Sequence, residues 1–119
     1  MSRILVLDDE PLIAMMVEDW LGELGCETVG PANSVASALD LIDGKDVDGA
    51  ILDVSLGSEN SYAVADVLMS RAIPFAFATG RDAEGLDGRY KGALMLSKPF
   101  DFDAVKDVVS KFSEKKPAK

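Results

Sequence analysis

Four short apolar runs in this chain each stop abruptly on a polar group. They are Ile4–Leu7 before Asp8-Asp9-Glu10, Ala50–Leu52 before Asp53, Phe75–Ala78 before Thr79-Gly80, and Ala93–Leu96 before Ser97-Lys98-Pro99. Runs of three or four apolar residues are too short for helices and read as strands buried on both faces. Helical spacing fills most of the intervals. Pro11 suits a first helical position, and Ile13, Met16, Val17, Trp20, Leu21 and Leu24 recur on one stripe until Gly25. Cys26 to Val29 reads as a weaker strand closed by Gly30-Pro31. Asn33 or Ser34 caps a helix through about Ile42, with Val35, Ala38, Leu39 and Ile42 inward. After a polar loop from Ser55 to Ser61, Tyr62, Ala65, Val67 and Leu68 support a helix ending near Arg71. A last helix follows Phe100, capped by Asp101 or Asp103, and carries Val105, Val108, Val109 and Phe112 inward.

Strand and helix therefore alternate five times. Parallel neighbours need crossover connections of one hand, so the pattern predicts an α/β domain: a doubly wound five-stranded parallel sheet with helices on both faces. One domain over residues 1–112 uses up almost all of the 119 residues, and the lysine-rich stretch 113–119 reads as a disordered tail. The weak point lies between Thr79 and Ala93, where Gly80, Gly85, Gly88 and Gly92 interrupt the helix that alternation requires. Each interior glycine costs about 1 kcal/mol relative to alanine, so the fourth helix is expected to be short or mobile.

Charge and composition exclude several functions. The formal net charge is −9, and most of the acid lies in residues 1–60, where only Arg3 and Lys45 oppose it. A nucleic-acid or anionic-membrane binder would show the opposite sign. The chain has no histidine and one cysteine, Cys26. That removes Ser/His and Cys/His nucleophile pairs, intrachain disulfides and cysteine-built zinc clusters. The opening apolar run reaches Asp8 after four residues and no run has membrane-spanning length, so the expected location is the cytoplasm.

In doubly wound sheets, ligands bind beyond the carboxyl ends of the strands. Asp8, Asp9, Asp53, Thr79 and Lys98 all fall there. Taken singly, each has a structural explanation as a helix cap, a turn residue or a solvated lysine. Taken together, three carboxylates on adjacent strand ends repel one another unless a cation joins them, and Mg²⁺ suits all-oxygen donors that leave waters for a phosphate to replace. Lys98 and the Thr79 hydroxyl add positive charge and a donor, which is what phosphoryl transfer needs. A carboxylate can itself be the nucleophile, forming an acyl phosphate.

Leu7-Asp8-Asp9-Glu10-Pro11, Asp53 after Ala50-Ile51-Leu52, Thr79 at the end of the fourth strand and Lys98-Pro99-Phe100 resemble the receiver domains of two-component response regulators, over Arg3 to about Phe112. The resemblance implies a flavodoxin-like sheet of order 2-1-3-4-5. Asp53 becomes the phosphoacceptor for a histidine kinase or histidine phosphotransfer protein. Asp9, Asp53 and the backbone carbonyl of Ser55 become Mg²⁺ ligands, with Asp8 acting through water; Mn²⁺ or Ca²⁺ could substitute in vitro. Thr79 and Lys98 contact the phosphoryl oxygens, and Lys98–Pro99 is cis. Pro74 to Gly80 is similar to the Phe-Ala-Thr-Gly signature of the FATGUY receivers, although Arg81-Asp82 do not complete it. Met95 stands three residues before the lysine, where receivers commonly carry a switch aromatic. Thr79, Gly80, Arg81 and Met95 are therefore the expected switch, acting by ordering residues 80–92 on phosphorylation.

The function expected is a stand-alone Mg²⁺-dependent phosphoacceptor, with self-catalysed acceptance and loss of phosphate in place of enzymatic turnover. It would signal through contacts with a target protein. One alternative is a phosphate sink or relay intermediate. Another class, a small Mg²⁺-dependent aspartyl-phosphate phosphatase, is disfavoured because the first strand lacks an alternating Asp-x-Asp and little chain remains for a cap. A binding module that never uses phosphate would have no need of the acidic and Thr/Lys set.

Overall fold

The computed structural model describes residues 2–44, 46–56, 59–79, 94–97 and 101–115. The elements run β1 (Arg3–Leu7), α1 (Pro11–Glu23), β2 (Glu27–Ala32), α2 (Val35–Gly44), β3 (Gly49–Asp53), β4 (Ser55–Leu56), β5 (Glu59–Asn60), α3 (Tyr62–Ser70), β6 (Phe75–Thr79), β7 (Leu94–Ser97) and α4 (Phe102–Lys115). Five strands form one parallel sheet in the order β2-β1-β3-β6-β7. That is the doubly wound order expected, with β1 and β3 adjacent at its centre.

The two-residue period of the central strands sorts their side chains onto two cores. Leu5 and Leu7 of β1, Ala50 and Leu52 of β3, and Phe77 of β6 pack with Ala38 and Ile42 of α2 and with Val64, Ala65 and Leu68 of α3. On the other face Ile4, Val6, Ile51, Ala76 and Ala78 meet Ala14, Val17 and Leu21 of α1 and Val105, Val108 and Phe112 of α4. Strands apolar on both sides are what this arrangement requires.

Ends and caps follow the local chemistry, with several corrections. The Ser34 hydroxyl accepts from the Ser37 N–H at 3.2 Å and Asp101 Oδ1 accepts from the Ala104 N–H at 3.0 Å, so Ser34 and Asp101 are the caps of α2 and α4. Strand β2 runs three residues past Val29, through Gly30-Pro31. It is an edge strand, where a residue without an N–H is tolerated, and its register against β1 slips between Leu5 and Leu7. The Gly30–Pro31 peptide is cis. Met16 is 41% exposed although its spacing placed it inward; Ala14, a small residue that periodicity underweights, takes the buried position. Strand β7 is described over Leu94–Ser97, with Ala93 outside the described residues, and α4 extends to Lys115, taking in residues 113–115 of the expected tail. The expected fourth helix within 80–92 and the Lys98–Pro99 peptide lie outside the described residues. Among the described residues, no helix is long and apolar enough to cross a membrane.

Candidate functional site

Parallel register brings the strand ends to one rim. Leu7 pairs with Leu52, so Asp8 and Asp53 follow on adjacent strands, and Asp53 pairs with Ala78, one residue before Thr79. Backbone bonds fix the turns that follow: the Asp8 N–H donates to the Ala32 carbonyl and the Val54 N–H to the Ala78 carbonyl, each at 3.0 Å. Asp8 and Asp53 are 6% and 5% exposed, whereas Asp9 and Glu10 are open to solvent. Each of the four offers a carboxylate oxygen, and these oxygens all lie within 4.8 Å of one another.

Glu10 joins this cluster with no signal in the sequence beyond its place after Asp8-Asp9 and before a helix start. It is the N-cap residue of α1, in extended backbone just before Pro11. Asp8 also makes an Asx turn, its Oδ1 accepting from the Glu10 N–H at 2.9 Å. Nearly buried carboxylates this close repel, and desolvation adds to the cost. A donor set of oxygens alone fits a hard divalent cation such as Mg²⁺. The structure thus brings Asp8, Asp9 and Asp53, which the sequence placed at the strand ends, together in one cluster.

The polar loop after Asp53 is a small antiparallel ribbon that the sequence reading did not anticipate. Ser55 pairs with Asn60 and Leu56 with Glu59. The Ser61 N–H donates to the Val54 carbonyl at 3.1 Å, which makes Ser55–Asn60 the non-hydrogen-bonded pair. The Ser55 carbonyl is consequently not spent on β5. The ribbon closes on Ser61, whose fully buried Oγ has no hydrogen-bond partner among the described residues.

Thr79 ends β6 and pairs with Ser97 on β7, half-buried at the same rim. Met95 pairs with Phe77 and packs, partly buried, against the core shared with α2 and α3. Lys98, Gly80 and Arg81 lie outside the described residues.

The response regulator receiver domain model matches residues 4–110 of this chain. The phyllosphere-induced regulator PhyR of Methylorubrum extorquens is 34% identical over 113 residues, 92% of this chain and 42% of that protein. The chain spans about half the length of the curated relatives it matches. Among solved structures, SdrG from Sphingomonas melonis Fr1 superposes with a TM-score of 0.84 at 43% identity, covering 95% of this chain and 97% of that one. A BeF3-activated conformation of SdrG, from Pseudomonas melonis Fr1, gives 0.78 at 45% identity, with 91% and 92% covered. TrrA from Thermotoga maritima, solved in complex with Mg²⁺-BeF, gives 0.82 at 29% identity, with 94% and 99% covered.

Proposed function

The chain belongs to the response regulator receiver family, and from that premise we propose that it takes a phosphoryl group from a phosphohistidine onto Asp53 in a Mg²⁺-dependent reaction and signals through protein contacts. The observation that carries this reading is the convergence of the Asp8, Asp9, Glu10 and Asp53 carboxylates on one strand-end rim. A carboxylate of Asp53 attacks phosphorus, the O–P bond forms as the P–N bond breaks, and the donor imidazole leaves with the electron pair and takes up a proton. Hydrolysis by water later returns the carboxylate and inorganic phosphate. The protein is itself the phosphorylated species between the two steps, so on this reading it is a self-catalysed acceptor.

Asp9, Asp53 and the Ser55 carbonyl are the residues to hold Mg²⁺, with Asp8 acting through water. Bound there, the ion supplies neutralisation of the spread charge on the phosphoryl oxygens. Asp8 also fixes the turn that leads into α1 through its bond to the Glu10 N–H. The Thr79 hydroxyl and the Lys98 ammonium complete the set as contacts to the phosphoryl group. BeF3 and Mg²⁺-BeF forms of SdrG and TrrA support the same chemistry here. The partners implied are a histidine kinase or phosphotransfer protein and a target protein.

Incubation with acetyl phosphate or a phosphorylated kinase in Mg²⁺, followed by mass mapping, tests the assignment. The adduct is expected on Asp53 and is expected to vanish in Asp53→Asn. A label on another residue, or none with a competent kinase, refutes it.

A further inference from the structure

The first turn of a helix leaves its N–H groups without partners inside the helix, and in α2 these donors are shared between two sources. The Ser34 hydroxyl takes the Ser37 N–H at 3.2 Å, as a local cap does. The Val35 N–H is taken by Glu59 Oε2 at 3.3 Å, from a residue 24 positions along the chain. Glu59 belongs to β5, the strand that pairs with Ser55 and Leu56 immediately after the phosphoacceptor. A carboxylate at a helix N-terminus is held both by the hydrogen bond and by the helix dipole.

That tie closes a ring of contacts around the rim. The Asp8 N–H is bonded to the Ala32 carbonyl at the end of β2, three residues before Val35. From Val35 the Glu59 carboxylate leads to β5. The ribbon leads back through the Ser61 N–H and Val54 carbonyl to the residue that follows Asp53. A second side-chain bond stiffens the ribbon's base, where Asn60 Oδ1 accepts from the Tyr62 N–H at 3.1 Å. The loop bearing Asp8 and Asp9 and the loop bearing Ser55 are thus both braced on the β2–α2 corner.

We propose that Glu59 is a positioning residue for the cation site: by anchoring the β4–β5 ribbon to the first turn of α2, it holds the Ser55 carbonyl where Mg²⁺ requires it. Mg²⁺ tolerates little departure from octahedral geometry, so a backbone ligand on a two-residue strand needs outside support. The role rests on the Ser55 assignment above. It also has a reciprocal consequence: if the tie favours the cation, the cation favours the tie by the same factor. Occupancy of the site is then felt at the N-terminus of α2, on the opposite side of Asp53 from Thr79 and Met95.

Glu59→Gln and Glu59→Ala separate positioning from charge, because both lose the negative charge and only glutamine keeps an acceptor for the Val35 N–H. Titration with Mg²⁺ alone, followed by amide chemical shifts, is expected to give the alanine variant an affinity roughly 3-fold to 10-fold below that of the glutamine variant. Hydrogen exchange at the Val35 amide is expected to slow on adding Mg²⁺ in the wild type and in Glu59→Gln, but not in Glu59→Ala. Equal Mg²⁺ affinities for the two variants, or a Val35 amide indifferent to Mg²⁺ in the wild type, would overturn the role of Glu59 and leave the phosphoacceptor reading standing. A wild type that binds no Mg²⁺ would remove the cation site and this role together.

Discussion

Gly25 and Ala72 close two helices with the same pair of hydrogen bonds, yet only one of them is a glycine. After α1, the Gly25 N–H reaches the Gly22 carbonyl and the Cys26 N–H the Leu21 carbonyl, with Gly25 at φ 78°. After α3, the Ala72 N–H reaches the Met69 carbonyl and the Ile73 N–H the Leu68 carbonyl, with Ala72 at φ 57°. Both are Schellman endings whose left-handed residue favours glycine. Among the described residues, and apart from Gly25 and its two chain neighbours, no heavy atom lies within 4 Å of where a Cβ on Gly25 would stand, so Gly25→Ala loses about 1 kcal/mol through conformation alone. Ala72→Gly relieves the left-handed cost but frees the unfolded chain, for a net gain of about 0.5–1 kcal/mol. Urea denaturation of the two variants should move the midpoint in opposite directions. Gly25 was legible as a helix stop; Ala72 was not, because nothing in an alanine signals a positive φ. Cys26, just beyond the first ending, has its thiol pushed above 9.0 by burial. The unfolded chain ionises first, so this contribution to stability is complete below the unfolded value and lost as pH rises through the folded one. The wild-type urea midpoint is expected to fall more steeply above about pH 8 than that of Cys26→Ser, and native alkylation to lag behind alkylation in urea.

The elements that periodicity could see are those with wide apolar stripes. Helix α4 places Val105, Val108 and Phe112 at 0%, 4% and 3% exposure, as its spacing demanded. What spacing could not show is why β3 opens on a glycine. A Cβ on Gly49 would stand 2.6 Å from Phe112 Cδ2, so the glycine is the floor on which the last turn of α4 rests. Gly49→Ala is expected to cost about 1–3 kcal/mol by overpacking, and Phe112→Ala about 3–5 kcal/mol by leaving a cavity. Adding Phe112→Leu to Gly49→Ala should cost less than the sum of the two separate changes, because the smaller side chain makes room for the new methyl group. A double-mutant cycle by urea denaturation checks this, and strict additivity would mean the ring and the glycine do not share their space. The β4–β5 ribbon was illegible for a different reason. Two-residue strands carry no period, and the ribbon's order comes from backbone pairing and from Glu59 and Asn60, none of which an apolar pattern records.

At the scale of the molecule, crowding the strand-end carboxylates has a cost in stability that a bound cation would offset. Asp8, Asp9 and Asp53 could be assigned to one rim from sequence because an abrupt polar stop after a buried strand marks its carboxyl end, and parallel topology puts all such ends together. Glu10 became part of the cluster only in three dimensions, where the start of α1 brings it within 4.8 Å of the others. Packing Asp8 and Asp53 at 6% and 5% exposure beside two more carboxylates puts like charges close together where water is largely excluded from two of them. A divalent ion that binds only the folded state then stabilises by mass action, about 2.7 kcal/mol when its concentration is 100 times the dissociation constant. Melting of the wild type is therefore expected to rise with Mg²⁺ by roughly 4 °C or more per kcal/mol gained. Without the ion, Asp53→Asn should melt at or above the wild type, since the substitution removes one of the crowded charges while keeping the shape. With it, the variant should gain little and the order of the two proteins should reverse. A Mg²⁺ response that survives in Asp53→Asn but disappears in a variant of an acidic residue away from the rim, such as Glu23→Gln, would show that the ion answers the general surface charge and not these strand ends.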